Sequence, residues 1–385
     1  MRSLEIFSGA GGLALGMRQA GFNHDALVEW NHDACNSLRK NFKQAKIHQC
    51  DVKEFDFFSL KEVEVISGGP PCQPFSLGGK HKGNLDSRDM FPYAIKGIRE
   101  IQPKAFIFEN VKGLLRQSFS SYFNYIILQL SYPEEKKGNN ESWIDHLSRL
   151  EKIHTRGTYS GLKYNVVFRL INAANYGIPQ KRERVIIVGI KNSIKIEWSF
   201  PKETHSYDRL IWDQFITGEY WDALKVCKKD RIVPDDRILK MIQRIRNKFG
   251  FFEPDSMPWV TVRKALVDIP EPLKNQDYHH DHLFRSGAKM YPGHTGSYID
   301  EPSKTLKAGD HGVPGGENMI RYPDNSVRYF TILEAKRIQT FPDNYFIAGS
   351  WTEAMRQLGN AVPVKLAYYL SSRLKDQLSK SVISN

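Results

Sequence analysis

Leu4–Gly21 reads LEIFSGAGGLALGMRQAG, and its interpretation decides the fold. Leu4–Phe7 is a short apolar run of strand length. A glycine turn follows at Gly9–Gly12. Helical spacing then continues to about Ala20, where Gly21 stops it. Strand, glycine turn and helix in immediate succession form the opening unit of an open α/β sheet. In such a unit, glycines let backbone amides approach a ligand closely.

The pattern repeats outward from there. Ala26–Trp30 is a second strand, and Asn31 can cap a helix running to about Phe42. Lys46–Gln49, Val63–Ser67 and Ala105–Glu109 are further strands, with a helix over Asp89–Ile101 between the last two. Val166–Ile171 and Val185–Ile190 resume the strands. The reading is an α/β fold: a mixed, mostly parallel sheet with helices on both faces. Residues 119–155 look like a helical insertion, broken by the turn-like Pro133–Asn140. From about Lys195 to Ser326 the pattern becomes irregular and rich in Pro, Gly and His, which marks a smaller second domain. Val364–Leu378 closes the chain as an amphipathic helix.

The chain has 385 residues, 25% of them charged and 41% hydrophobic, enough for a sizeable core. No apolar run reaches the roughly 18 residues of a membrane span, and the N-terminus lacks a secretory apolar region. A cytoplasmic protein is expected. The cysteines Cys35, Cys50, Cys72 and Cys227 form no C-x-x-C pair, which argues against a zinc ribbon or a disulfide framework; no metal site is expected. Net charge is +12. Residues 1–199 carry 28 basic and 20 acidic side chains, residues 200–326 carry 19 of each, and residues 327–385 carry 8 and 4. A polyanionic partner fits the total. The middle segment, with no net charge, would have to read such a partner by placed side chains.

Four constellations carry chemistry. In FSGAGGLALG, Phe7–Gly16, the glycine loop opens a helix. Glu29 ends the second strand about 20 residues on, where an acid can accept ribose hydroxyls. Asp51 ends the third strand. Together they indicate an adenosine-type ligand, although the loop alone does not separate a dinucleotide from S-adenosylmethionine. In GGPPCQPFS, Gly68–Ser76, two prolines stiffen a turn that sets Cys72 at the carboxyl edge of the sheet, as a candidate nucleophile. Cys35, within a helix, and Cys50, within a strand, read as packing residues. In FENVKGLL, Phe108–Leu115, Glu109 is a carboxylate at the same edge, able to protonate or hydrogen-bond a ring nitrogen. In QKRERV, Gln180–Val185, alternation would send Arg182 and Arg184 into one site. Taken singly, each has a bland alternative: an ordinary turn, a buried thiol, a capping acid, a charged strand end.

FSGAGG, GGPPCQPFS, FENV, QKRER, RYFTILEAKRIQTFPDNY and QLGNAVPV stand here in the order found in DNA cytosine-5 methyltransferases, and the chain resembles the bacterial restriction-modification type. The resemblance covers roughly residues 1–115, 160–195 and 328–375. It departs at DSRDMF, Asp86–Phe91, a residue shorter than the common form, so that Met90 stands where a Leu lines the cofactor pocket. The 119–155 insertion has no counterpart role.

The resemblance implies a Rossmann-like fold that uses S-adenosylmethionine and releases S-adenosylhomocysteine. It implies methylation of a flipped-out cytosine at carbon 5, with Cys72 adding to carbon 6. Glu109 would contact ring nitrogen 3 and Arg184 the carbonyl oxygen, with Arg182 supporting the site. Cofactor contacts carry over to Phe7, Gly9, Gly11, Leu13, Glu29, Trp30, Asp51, Val52, Pro71, Met90, Asn360 and Val362. DNA contacts carry over to Ser76, Lys80, His81, Lys82, Arg88, Gln180, Thr305 and Leu306. Ser76–Phe91, SLGGKHKGNLDSRDMF, fits a loop that closes over DNA. The implied division is a catalytic domain of 1–195 plus 327–385, with a target-recognition domain at 196–326. Double-stranded DNA is the expected substrate, a cognate restriction endonuclease the expected functional partner as a separate gene product, and a monomer the expected state. Two rivals are a transfer-RNA methyltransferase of the same family and a catalytically inactive DNA-binding relative. The first lacks support because the family's C-F-T segment is absent, 291–318 reading YPGHTGSYIDEPSKTLKAGDHGVPGGEN; the second because P-C-Q and E-N-V are both intact.

Overall fold

Strand β1, Arg2–Ile6, lies in the middle of a seven-stranded sheet built from β2 (Asn23–Glu29), β3 (Lys46–Gln49), β4 (Val65–Gly68), β5 (Ala105–Val111), β6 (Tyr164–Asn172) and β7 (Glu183–Lys191). The strand order is β3-β2-β1-β4-β5-β7-β6. β1 pairs in parallel with β2 and β4, β2 with β3, and β4 with β5, while β5 and β7 run antiparallel. In this computed structural model residues 1–60, 62–71, 89–272, 279–308 and 318–383 are described.

The strands read as nearly continuous apolar runs because both sheet faces are covered. Leu4, Ile6, Ala26–Val28, Ile66, Phe106, Phe108 and Val185–Val188 are all buried. Each such Ile, Leu or Phe contributes roughly 1.5–3 kcal/mol on leaving water. The covering helices start where the sequence signals them. α1, Gly12–Gln19, follows the glycine turn. α2, His32–Asn41, is capped by Asn31, whose Oδ1 accepts the Ala34 amide at 2.8 Å. α3 is Phe91–Ile101. The 119–155 region is indeed helical: α4 is Ser120–Ser131, and α5, Trp143–Arg156, is capped by Ser142 and stopped by Gly157.

Strand order reverses direction around β1 and β4. Ile6 lies in register with Gly68, so the glycine turn after β1 and the proline turn after β4 leave the sheet side by side. A Cβ on Gly68 would stand 2.3 Å from the Ile6 carbonyl oxygen, so only glycine fits that approach. Open α/β sheets bind ligands at this kind of switch point.

By contacts the chain divides into two units. One holds 1–171, 183–201 and 367–385; the other holds 172–182 and 202–366. The sequence-based division drew its boundaries by role, whereas this one groups residues that touch. The closing helix, Val364–Ile383, enters the first unit at Ala367, where Lys375 Nζ donates to the Gly21 carbonyl at 3.1 Å.

The middle of the chain is more regular than its sequence suggested. Helices run over Tyr207–Phe215 and Asp236–Phe249, and a three-stranded sheet joins Ser297–Tyr298, Met319–Arg321 and Val327–Tyr329. Ile238, Met241, Ile242, Ile245 and Phe249 recur at helical spacing behind the cap Asp235. The prolines and glycines on either side of that stretch obscured the period.

Candidate active site and cofactor cradle

The first unit's polar groups converge on the carboxyl ends of β1, β2, β4 and β5. Phe7, Gly9 and Gly11 all adopt positive φ (56°, 52° and 82°), which turns the loop sharply into α1. No side chain caps that helix. Nothing lies within 4 Å of where a Gly9 Cβ would point, so the loop faces open space.

Glu29, buried at the end of β2, ties this loop down. Its Oε2 accepts the Gly9 amide at 2.8 Å, and its Oε1 accepts the amides of Trp30 and Asn31 at 3.0 and 2.8 Å. A carboxylate offers about four acceptor positions, so three amides leave one for a hydroxyl. The Trp30 ring is 76% exposed, an apolar plate with room for a stacked base. Asp51 caps the short turn Val52–Glu54 by accepting the Lys53 amide at 3.0 Å, and Val52 is buried beneath it. Leu13 is buried in α1. An open glycine cradle, a carboxylate with spare capacity and a bare indole face fit an adenosine-bearing cofactor.

Cys72, Ser76, Lys80, His81, Lys82 and Arg88 lie outside the described residues. Asn110 Nδ2 donates to the Pro70 carbonyl at 2.9 Å, and a Cβ on Gly69 would meet Glu109 Oε2 at 3.5 Å. The Met90 amide donates to the Pro71 carbonyl at 3.3 Å, so these two described residues stand side by side. Cys35 and Cys50 are poor rivals for nucleophile. Burial pushes the Cys35 thiol up to about 12 and raises Cys50 as well, which keeps both protonated and unreactive. Cys227, exposed in the second unit, follows the helix Glu219–Ala223.

Glu109 and Arg184 meet across the antiparallel β5–β7 pair. Arg184 Nε lies 2.6 Å from Glu109 Oε1, with both side chains nearly buried. Contact at that distance without hydrogen-bond alignment leaves Oε1 with no aligned donor. Such a carboxylate is held in place by charge rather than by an aligned donor.

Arg182 goes elsewhere. β7 begins at Glu183, so the alternation that would have put both arginines on one face starts after Arg182. Arg182 is fully buried in the second unit, where Nη2 donates to the Gly359 carbonyl at 2.9 Å and Nη1 to the Leu306 carbonyl at 3.4 Å. Gln180, also fully buried, accepts the Leu306 amide at 3.3 Å and donates to Gln339 Oε1 at 3.3 Å. Thr305 Oγ1 donates to the Lys181 carbonyl at 2.8 Å. Gln180 and Leu306, expected at DNA, are thus internal ties, with the side chains turned inward by the short pairing of Gln180–Lys181 with Ser303–Lys304. A Cβ on Gly359 would lie 2.6 Å from the Lys307 carbonyl carbon, so the backbones press together there. Asn360, the last residue of the helix Trp351–Asn360, is exposed, and Val362 is buried.

Sequence reasoning missed three groups. Asn110, quoted only as part of FENV, anchors the proline turn. Glu5, an acid inside an apolar strand, lies under the glycine loop. It accepts from Ser67 Oγ at 3.2 Å, and burial raises its carboxyl to about 8. That lone charge in LEIF was a legible signal. Gln339 in the second unit had none. His279, His280 and Asp281 bring possible metal ligands within 4.8 Å, but Asp281 is already bound to Lys336 Nζ at 2.6 Å. No helix among the described residues is long and apolar enough to cross a membrane.

A family model described as C-5 cytosine-specific DNA methylase matches residues 1–132 and 151–376, so residues 133–150, between α4 and the middle of α5, fall outside it. The Type II methyltransferase M.NgoMIV of Neisseria gonorrhoeae is 36% identical over 98% of both chains. The Type II methyltransferase M.Sau96I of Staphylococcus aureus is 30% identical over 98% of this chain and 76% of its own. Among solved structures, the Dnmt2 methyltransferase of S. pombe shares the fold, with a TM-score of 0.56 at 18% identity over 98% of this chain and 99% of that one.

Proposed function

The chain belongs to the C-5 cytosine-specific DNA methylase family, and from that premise we propose that Cys72, Glu109 and Arg184 together activate a cytosine extruded from duplex DNA. The enzyme is a DNA (cytosine-5-)-methyltransferase.

Carbon 5 of cytosine is a weak nucleophile. The Cys72 thiolate adds to carbon 6, and Glu109 at ring nitrogen 3 and Arg184 at the carbonyl oxygen stabilise the electrons displaced into the ring. Carbon 5 then has enamine character. S-adenosylmethionine, held by the cradle of Phe7, Gly9, Gly11, Leu13, Glu29, Trp30, Asp51 and Val52 together with Pro71 and Met90, would supply an electrophilic methyl group and leave as S-adenosylhomocysteine. A base removes the proton from carbon 5, and the returning electron pair expels Cys72. The target carbon is shielded in a duplex, so the base must leave the stack at a cost of a few kcal/mol. Ser76, Lys80, His81, Lys82 and Arg88, with their hydroxyl and basic side chains, are suited by their chemistry to hold the opened duplex.

The observation that carries this reading is the Glu109–Arg184 contact beside the anchored Gly69–Pro71 turn. In service the enzyme protects DNA in the cytoplasm from a cognate restriction endonuclease and acts as a monomer, with the second unit choosing the sequence.

The test is covalent capture. Duplex with 5-fluorocytosine at the target should trap the wild type through a peptide containing Cys72. Cys72→Ala should form no adduct and transfer no methyl group, yet still bind S-adenosylmethionine. A trapped peptide holding Cys35, Cys50 or Cys227 would overturn the assignment. Offering plasmid and bulk transfer RNA side by side as acceptors separates DNA from RNA substrates.

A further inference from the structure

Residues 200–326 have no net charge, but the charges are not mixed evenly. Residues 225–248 hold nine basic and three acidic side chains; the rest of the segment holds ten and sixteen. The basic stretch ends in the helix Asp236–Phe249. That helix packs through Ile245, with Met241, Ile242 and Phe249, against Ile211 and Trp212 of the helix Tyr207–Phe215.

The opposite face carries Lys240, Gln243, Arg244 and Asn247, spaced i, i+3, i+4, i+7 and all exposed. No carboxylate stands among these four. Lys240 makes no ion pair among the described residues. Arg244 pairs with Asp208 at 2.5 Å, a carboxylate it shares with Lys248 at 3.2 Å. Arg244 is itself 61% exposed, and an exposed pair of that kind is worth little, so a phosphate can take the arginine over. Gln243 Nε2 donates to Asn247 Oδ1 at 2.9 Å, which aligns the two amides along the face. Just past the helix, Phe251 and Phe252 stand 102% and 83% exposed. Two adjacent aromatics left in water beside a cationic row call for a cover.

We propose that this face of the helix Asp236–Phe249, extended by Phe251 and Phe252, docks on duplex DNA. The inference rests on the reading of duplex DNA as the substrate and adds where the second unit holds it. Charge complementarity points to a polyanion. Amides beside the cations are the groups that pair with base edges, which favours a nucleic acid over an acidic protein surface. A helix of 14 residues is about 21 Å long, and the major groove, about 12 Å wide, admits one.

The experiment measures affinity of the full-length protein for a duplex fragment of the plasmid it methylates, across a series of salt concentrations. Lys240→Gln/Arg244→Gln changes two exposed side chains and should fold normally, as checked by circular dichroism and S-adenosylmethionine binding. Each lost phosphate contact lowers the slope of log K against log salt by about 0.9, so the double variant should be shallower by about 2. An unchanged slope overturns the proposal. So does an unchanged slope with altered sedimentation, which would assign the face to a second copy of the chain. Methyl transfer by the wild type is scored separately. If the wild type leaves DNA unmethylated yet the variant's slope falls, the catalytic reading fails and the docking face stands.

Discussion

Both units bury polar groups, but they use them differently. In the first, an apolar sheet sets the shape, and the buried polar groups gather at its carboxyl edge: Glu29 under the glycine loop, Asn110 on the proline turn, Glu109 against Arg184. In the second, strands are two or three residues long and buried charge does the joining. Asp300, fully buried, binds Arg263 through both oxygens at 2.6 and 2.9 Å and accepts Tyr220 Oη at 2.8 Å. Glu334 takes two bonds from Arg328 at 2.8 and 2.7 Å. Lys336, fully buried, binds Asp281. Where hydrophobic burial already specifies the fold, polar side chains are free for chemistry. Where strands are too short to do so, paired charges hold the chain, and losing one partner strands the other.

The contrast can be broken most directly by exchange. Lys336–Asp281, Arg182–Leu306 and Thr305–Lys181 all cross the borders of segment 200–326. Replacing 200–326 alone with a relative's segment puts the side-chain partners Asp281 and Thr305 at risk and should lower the yield of folded protein. Moving 172–182 together with 202–366 keeps them. That chimera should methylate the donor's sequence, with Cys72 still the nucleophile, as bisulfite sequencing would read. An active chimera that kept the original pattern would refute the division of labour.

Next in size is the first unit's chemistry. Glu109→Gln should lower the single-turnover methylation rate by about 10²- to 10⁴-fold, with S-adenosylmethionine affinity little changed. A rate within a few-fold of wild type would remove Glu109 from the reaction. The smallest effect concerns the staples. Asp300→Asn leaves Arg263 without its charge partner and should cost on the order of 3 kcal/mol, seen as a lower unfolding midpoint while S-adenosylmethionine binding, proposed for the first unit, survives at lower temperature. A shift too small to measure would mean that the second unit does not depend on its buried charge.

Legibility followed the same divide. The strands from β1 to β5, the glycine turn after β1, the cap at Asn31 and the edge positions of Glu29 and Glu109 could all be read along the chain. The helix Asp236–Phe249 could have been, since its apolar residues keep a regular period. The partners of Asp300 and Lys336 could not, because nothing local distinguishes an acid or a lysine that is buried and paired from one that is solvated.

By itself the sequence determined the order of strands and helices, the glycine and proline turns at the sheet edge, and the residue types available there. Those signals are local: side-chain period, cap chemistry and turn chemistry act within a few residues. Only the tertiary structure decided where two arginines on either side of one glutamate would go. Arg184 lies inside β7 and faces Glu109; Arg182 lies just before it and reaches Gly359, 177 residues away. It also decided that Gln180 would be spent on Leu306, 126 residues along. A buried polar group must find a partner, and which partner depends on strand boundaries and pairings set by the whole chain rather than on its own neighbours.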